Sequence, residues 1–186
     1  MAVRRIVYSN EPMLHEPSRR VRRVDVDVER LIEDMIETMH AANGIGLAAI
    51  QIGVPERVVV VEVPVVHDDE AEVPDELPET ELYVLINPEI VEASEERVEG
   101  IEGCLSVPGW AGEVDRHTAV TVEALNREGR PVRIQAEGLL ARVFQHEVDH
   151  CEGVLFIDHI DDPDKSWPVE EGQEEAVEAA QERQSG

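Results

Sequence analysis

The chain has 186 residues, the length of one ordinary domain. It carries 42 Asp+Glu against 16 Lys+Arg, a formal net charge of −26, with 42% hydrophobic residues. That apolar share can build a core and excludes wholesale disorder. The charge argues against DNA, other nucleic acid or an anionic membrane as partner, because each phosphate would meet like charge.

No apolar run approaches the ~20 residues that a membrane span needs, and the N-terminus lacks the apolar centre of a secretory signal. Two cysteines cannot make a disulfide framework, so a reducing, cytoplasmic location is expected.

In chain order, the first 30 residues hold seven arginines against five acids. Arg19, Arg20, Arg22 and Arg23 form the one basic stretch, read as a solvated loop or a surface for a transient ribosome contact. Val28, Leu31, Ile32, Met35, Ile36 and Met39 then repeat at helical spacing and predict an amphipathic helix, capped by Asp25 or Asp27 and stopped at Asn43-Gly44. Gly44 to Gly53 is apolar and small except for Gln51. It reads as a tightly packed strand, or as a segment whose glutamine amide serves a ligand. Residues 57–63, 82–87, 119–125 and 131–136 read as strands, the last two joined by a hairpin turn at 126–130. Residues 67–81 hold eight acids and no base and read as a solvated loop.

Residues 137–152 read as a second helix carrying His146-Glu147-Val148-Asp149-His150. Histidines four apart stack on one helix face and can reach one metal, with Glu147 beside that face and Leu139 and Val143 sharing it. Catalytic sites of this kind usually add a third protein ligand. The residues offer two kinds: Cys104, in the segment Glu102-Gly103-Cys104-Leu105-Ser106, or a downstream glutamate among Glu170, Glu171, Glu174 and Glu175. The second choice defines an alternative function, a zinc endopeptidase. Cys151 reads as a small buried hydrophobe, although a Cys104–Cys151 disulfide is a third arrangement. The absence of strand–helix alternation predicts an α+β fold. Its mostly antiparallel strands surround a central metal-binding helix, with the amphipathic helix toward the N-terminus.

Gly44-Ile45-Gly46-Leu47-Ala48-Ala49-Ile50-Gln51, Glu102-Gly103-Cys104-Leu105-Ser106 and Gln145-His146-Glu147-Val148-Asp149-His150 together resemble the three signature motifs of the peptide deformylases. The resemblance runs from about Ile6 to Ile160, so a catalytic domain over 1–160 is expected, with an acidic insertion near 66–81 and an acidic tail over 161–186. It begins almost at Met1, leaving no expected room for a transit peptide. It implies one divalent metal held by Cys104, His146 and His150, with Fe(II) the family's usual ion and Zn, Ni or Co as substitutes. It also implies the substrate, a newly made polypeptide beginning with formyl-methionine, and the products, formate and a free amino terminus. Water attacks the formyl carbon, and Glu147 serves as base and then acid. Gln51 and the Leu105 N–H match the family's oxyanion donors, while the backbones of Ile45, Gly46 and Gly103 pair with the extended peptide. Three positions depart from the common pattern. Ile50 replaces a frequent proline, Cys151 replaces an aliphatic residue, and Arg142 stands where an apolar residue often lines the methionine pocket. Arg142 is expected to snorkel outward or to alter that pocket's preference.

Overall fold

The computed structural model describes residues 2–65 and 79–169. Two helices and two antiparallel sheets build it. In chain order the elements are α1 (Val26–Ala41), β1 (Gly46–Ala48), β2 (Val58–Pro64), β3 (Thr80–Ala93), β4 (Arg97–Gly103), β5 (Trp110–His117), β6 (Ala119–Leu125), β7 (Pro131–Glu137), α2 (Gly138–Glu152) and β8 (Ser166–Pro168). One sheet has the order β1-β2-β3-β6-β7 and the other β4-β5-β8.

Local chemistry sets the helix ends. Asp25 caps α1 by accepting from the Asp27 and Val28 N–H groups, which satisfies donors the first turn leaves open. Asn43, at φ 52°, turns the chain out of the helix. α2 ends at Gly153, whose φ of 77° suits a left-handed cap. A side chain there would put its Cβ 2.7 Å from the His15 carbonyl carbon, so only glycine fits.

β2 lies between the helices and explains the continuous run of valines. Val59, Val61 and Val63 face the core shared with Val143, Phe144 and Cys151 of α2. Val58 and Val60 face the opposite way, against Ile32, Met35 and Met39 of α1. Each such side chain, taken fully out of water, contributes about 1.5–3 kcal/mol. A smaller cluster of Val107, Val114, Leu155 and Phe156 anchors the three-stranded sheet.

Several expectations change. Gly44 to Gly53 is not one strand: β1 takes three residues, and Ala49–Ile52 form a 3-10 turn holding Gln51. β3 begins at Thr80, inside the stretch read as loop, and runs past Pro88 to Ala93 with a register shift between Ile86 and Glu89. The acidic stretch 66–78 lies outside the described residues. So do Glu170, Glu171, Glu174 and Glu175. The tail begins in ordered structure, because β8 pairs with β5 through Ala111–Trp167 and its neighbours. No helix among the described residues is long and apolar enough to cross a membrane.

Candidate active site

α2 is buried along the face that carries His146, Glu147 and His150. β4 runs toward this face and delivers Cys104 just past its end. The Val107 N–H closes a tight turn onto the Cys104 carbonyl at 2.8 Å, which fixes the cysteine's direction. Its Sγ lies 3.2 Å from His150 Nε2 and 3.4 Å from the Ser106 N–H nitrogen. The ligand atoms of Cys104, His146 and His150 all lie within 4.8 Å of one another, the one such cluster among the described residues. Cys104 and Cys151 are both free thiols, so there is no disulfide between them.

Glu102 organises this cluster. It is 2% exposed and accepts from His146 Nδ1 at 2.9 Å, which turns the ring so that Nε2 is its remaining nitrogen. It also accepts from Arg116 Nε and Nη2 at 2.9 and 3.0 Å and from Arg142 Nη1 at 2.9 Å. Burial opposes its charge, but the His146 and Arg116 contacts prevail and hold its carboxyl well below the usual range. Arg116 continues to Asp149, which also meets His159. Arg142 does not snorkel outward. It is buried and donates as well to the Val98 and Val114 carbonyls at 2.8 and 3.0 Å.

Glu147 is 3% exposed, and its Oε2 has no hydrogen-bond partner among the described residues. Burial pushes its carboxyl up to about 7, with the charges of Glu102 and Asp149 adding and that of His146 opposing. Its other oxygen presses on Gly46, where a Cβ would sit 2.4 Å from Oε1. β1 must therefore be glycine at that point. Burial holds His150 neutral by lowering its pKa, the form in which imidazole binds metal.

Gln51 is also buried. Its Oε1 accepts from the Ala48 N–H at 2.8 Å, which aims the NH2 at Cys104 Sγ (3.5 Å) and Ser106 Oγ (3.2 Å). Gln51, Glu147, His146 and Cys104 share one cavity of about 420 Å³ with Ile45, Gly46, Gly103, Leu105, Val143 and Arg142. Gly46 and Gly103 belong to β1 and β4, each an edge strand of its sheet. The Ile45 carbonyl accepts from the Glu62 N–H at 2.8 Å, so it is not free to pair with a peptide. By antiparallel alternation that pairing turns the main-chain groups of Gly46 toward the open edge.

The sequence reading named no role for Glu102, Arg116 or Asp149. The available signal was an acid two residues before the candidate cysteine, in a chain with arginines for which the strand pattern gave no use. Leu139 packs into the core beside the site and not on the cavity.

A half-buried thiol on the cavity, two imidazoles one helical turn apart and an adjacent buried carboxyl define a metal-dependent hydrolytic centre as a class. The sequence matches the family described as polypeptide deformylase over residues 3–166. It is 49% identical to a peptide deformylase of Thermomicrobium roseum over 97% of this chain and 98% of that one. It is 48% identical to one of Rhizobium meliloti over 86% of each. The crystal structure of peptide deformylase from Ehrlichia chaffeensis superimposes with a TM-score of 0.78 at 36% identity, covering 98% of this chain and 97% of that one. The same organism's enzyme, in complex with actinonin, gives 0.77. The chain belongs to the peptide deformylase family, and it is an enzyme, a deformylase.

Proposed function

We propose that this chain removes the formyl group from the amino-terminal methionine of newly synthesised polypeptides through the residues gathered at this cavity. The observation that carries the reading is the convergence of Cys104, His146 and His150 beside a buried Glu147 and an oriented Gln51 amide. The donor set fits a divalent metal: one thiol, two imidazoles and a second-layer carboxylate on His146. Fe(II) is the ion we assign by family resemblance, with Zn, Ni or Co able to replace it. When bound, such an ion polarises a carbonyl and lowers the pKa of water.

The protein's own groups do the rest. Glu147, poised near neutral pH, takes one proton from the attacking water. The water oxygen bonds to the formyl carbon, and the carbonyl oxygen takes up the electron pair. Gln51 Nε2 and the Leu105 N–H donate to that oxygen; removing one such donor typically costs about 10²–10³ in rate. Glu147 then gives its proton to the amine nitrogen as the C–N bond breaks, leaving formate and a free amino terminus.

The backbone edges at Gly46 and Gly103 receive the peptide as an added strand, a mode indifferent to side chains. That suits a substrate class as varied as nascent chains. The methionine side chain enters beside Leu105, Val143 and the stem of Arg142. Glu102 and two carbonyls already engage the Arg142 guanidinium, so the pocket is apolar in effect and keeps its preference for methionine. We place the work in the cytoplasm, where free thiols persist. The test is formate release from formyl-Met-Ala-Ser by protein loaded anaerobically with Fe(II) or Ni(II). The wild type should release formate and Glu147→Ala should not; equal background from both would overturn the reading.

A further inference from the structure

A second concavity, a groove of about 380 Å³, lies behind α2 and is lined on the helix side by Val148 and Glu152. At about 100° per residue these two sit on the side of α2 opposite His146, Glu147 and His150. Among the described residues, none lines both this groove and the catalytic cavity. Across from the helix, Glu89, Ile90 and Val91 of β3 form the facing wall. Three consecutive residues of a regular strand cannot line one groove, because their side chains alternate between faces. β3 manages it by slipping its register against β6 twice, between Ile86 and Glu89 and again between Ile90 and Glu92. Each slip inserts one extra residue, the mark of a bulge, and bulges re-aim side chains. Val91 is left 41% exposed at the groove.

Arg57 also lines the groove, although it is only 8% exposed. Its main chain is held on both sides: its N–H donates to the Arg19 carbonyl at 2.8 Å, and its carbonyl accepts from the Asn87 N–H at 2.7 Å. Asn87 takes a φ of 56° here, a left-handed conformation that non-glycine residues enter at a cost. The Arg57 Nε donates to the Pro88 carbonyl at 2.9 Å, and Nη2 meets Glu152 Oε1 at 2.6 Å. Nη1 has no partner among the described residues, so a buried guanidinium keeps two N–H donors for an occupant. A buried donor without an acceptor costs free energy, and a ligand that supplies the acceptor recovers it. At the rim Arg20 pairs with Glu89. The two arginines and two glutamates sum to zero in a chain of net charge −26, so an anionic group escapes the general repulsion here.

We propose that this groove binds an apolar α-amino acid in its zwitterionic form. The carboxylate meets Arg57 Nη1 and Arg20, since guanidinium groups take carboxylates through paired, charge-assisted bonds. The ammonium meets Glu89 and Glu152, each of which engages its arginine through one oxygen and keeps the other. The side chain lies against Ile90, Val91 and Val148. The volume is that of a small-molecule site, apolar walls with a few polar groups that fix orientation. Because Arg57 is pinned at its main chain and at Nε, little freedom is lost on binding. The inference stands on the groove alone and is independent of the deformylase reading. An occupant sits behind α2, so it does not compete with the peptide.

The experiment is titration of the full chain, loaded with Zn(II), with L-leucine, followed by amide nitrogen–proton NMR. The N–H signals of Val91, Val148 and Glu152 should shift and saturate with a dissociation constant below about 1 mM. N-acetyl-leucine lacks the ammonium and leucinamide lacks the carboxylate, so each should bind at least about tenfold more weakly. Arg20→Ala removes one guanidinium and Val91→Trp fills the groove; both positions are exposed, so both variants should keep a wild-type spectrum while losing at least about tenfold in affinity. Excess Met-Ala-Ser, which occupies the catalytic cavity, should leave the leucine affinity unchanged. Shifts that are absent, that are confined to Gly46 and Gly103, or that compete with Met-Ala-Ser overturn the proposal. Equal affinity for N-acetyl-leucine, or equal affinity in the two variants, overturns it as well.

Discussion

Replacing Glu102 by alanine should damage both the fold and the metal site, by different amounts. The carboxylate is 2% exposed and accepts four hydrogen bonds, two from Arg116 and one each from Arg142 and His146. Its loss leaves two buried guanidinium groups short of an acceptor. Breaking a buried ion pair from one side costs about 3–5 kcal/mol. Arg116 keeps Asp149, and Arg142 keeps two carbonyls, so the lower end, about 3 kcal/mol, is expected. At a urea m-value of about 2 kcal/mol/M the unfolding midpoint falls by about 1.5 M. The freed His146 ring should weaken metal binding about 10–100-fold. Urea denaturation followed by circular dichroism measures the first effect, and metal titration of the folded protein the second. Glu102→Gln keeps an acceptor for the arginines and should lose less stability while still weakening metal binding. A Glu102→Ala protein within about 0.5 kcal/mol of wild type would refute the claim that this network is a central support of the site.

Other consequences are equally direct. Gly46→Ala puts a methyl group 2.4 Å from Glu147 Oε1 and must displace that carboxyl; kcat/KM should fall at least 10²-fold with an unchanged circular dichroism spectrum, and an unchanged rate would count against Glu147 as proton carrier. Burial pushes the Cys151 thiol up to about 12, whereas Cys104 opens on the cavity. Iodoacetamide should therefore label Cys104 alone in native, metal-free protein and reach Cys151 only after unfolding; labelling of both at similar rates contradicts this. The Arg4 hydrogen bond, with the Ala2 N–H adding and burial opposing, holds Asp34 below the ordinary carboxylate range. A lowered folded value contributes stability that is present above the unfolded pKa near 3.9 and lost as pH falls through the folded one. Asp34→Asn should therefore be less stable than wild type at pH 7, with the gap closing below about pH 4 in urea midpoints; a gap independent of pH would be inconsistent with the shift.

What could be read from residues alone followed from regular patterns. Val28 to Met39 marked α1 because its apolar side chains recur at helical spacing, and β2 stood out because Val58 to Val61, buried on both faces, run as four valines before Glu62. β4 and β5 escaped notice for the opposite reason. Glu102 and Arg116 point inward and pair with each other, so charge sits where an apolar residue would normally mark a strand. β3 extends past the expected 82–87 to Ala93, because the positive φ of Asn87 and the register shift after Ile86 accommodate Pro88, a residue that usually ends a strand. The three motifs named Cys104, Gln51 and Glu147, but their spacing could not show that Gln51 lies in a 3-10 turn or that Gly46 presses on Glu147. Arg142 depends on a partner 40 residues away, which no local pattern reveals.

The central claim is that Cys104, His146 and His150 together hold one metal ion. X-ray absorption at the metal edge of anaerobically loaded protein tests it most directly. The account predicts one ion per chain with one sulfur scatterer at about 2.3 Å and two imidazole nitrogens at about 2.0–2.1 Å, the sulfur disappearing in Cys104→Ala. A shell of nitrogen and oxygen alone in the wild type, unaltered by that substitution, would contradict it.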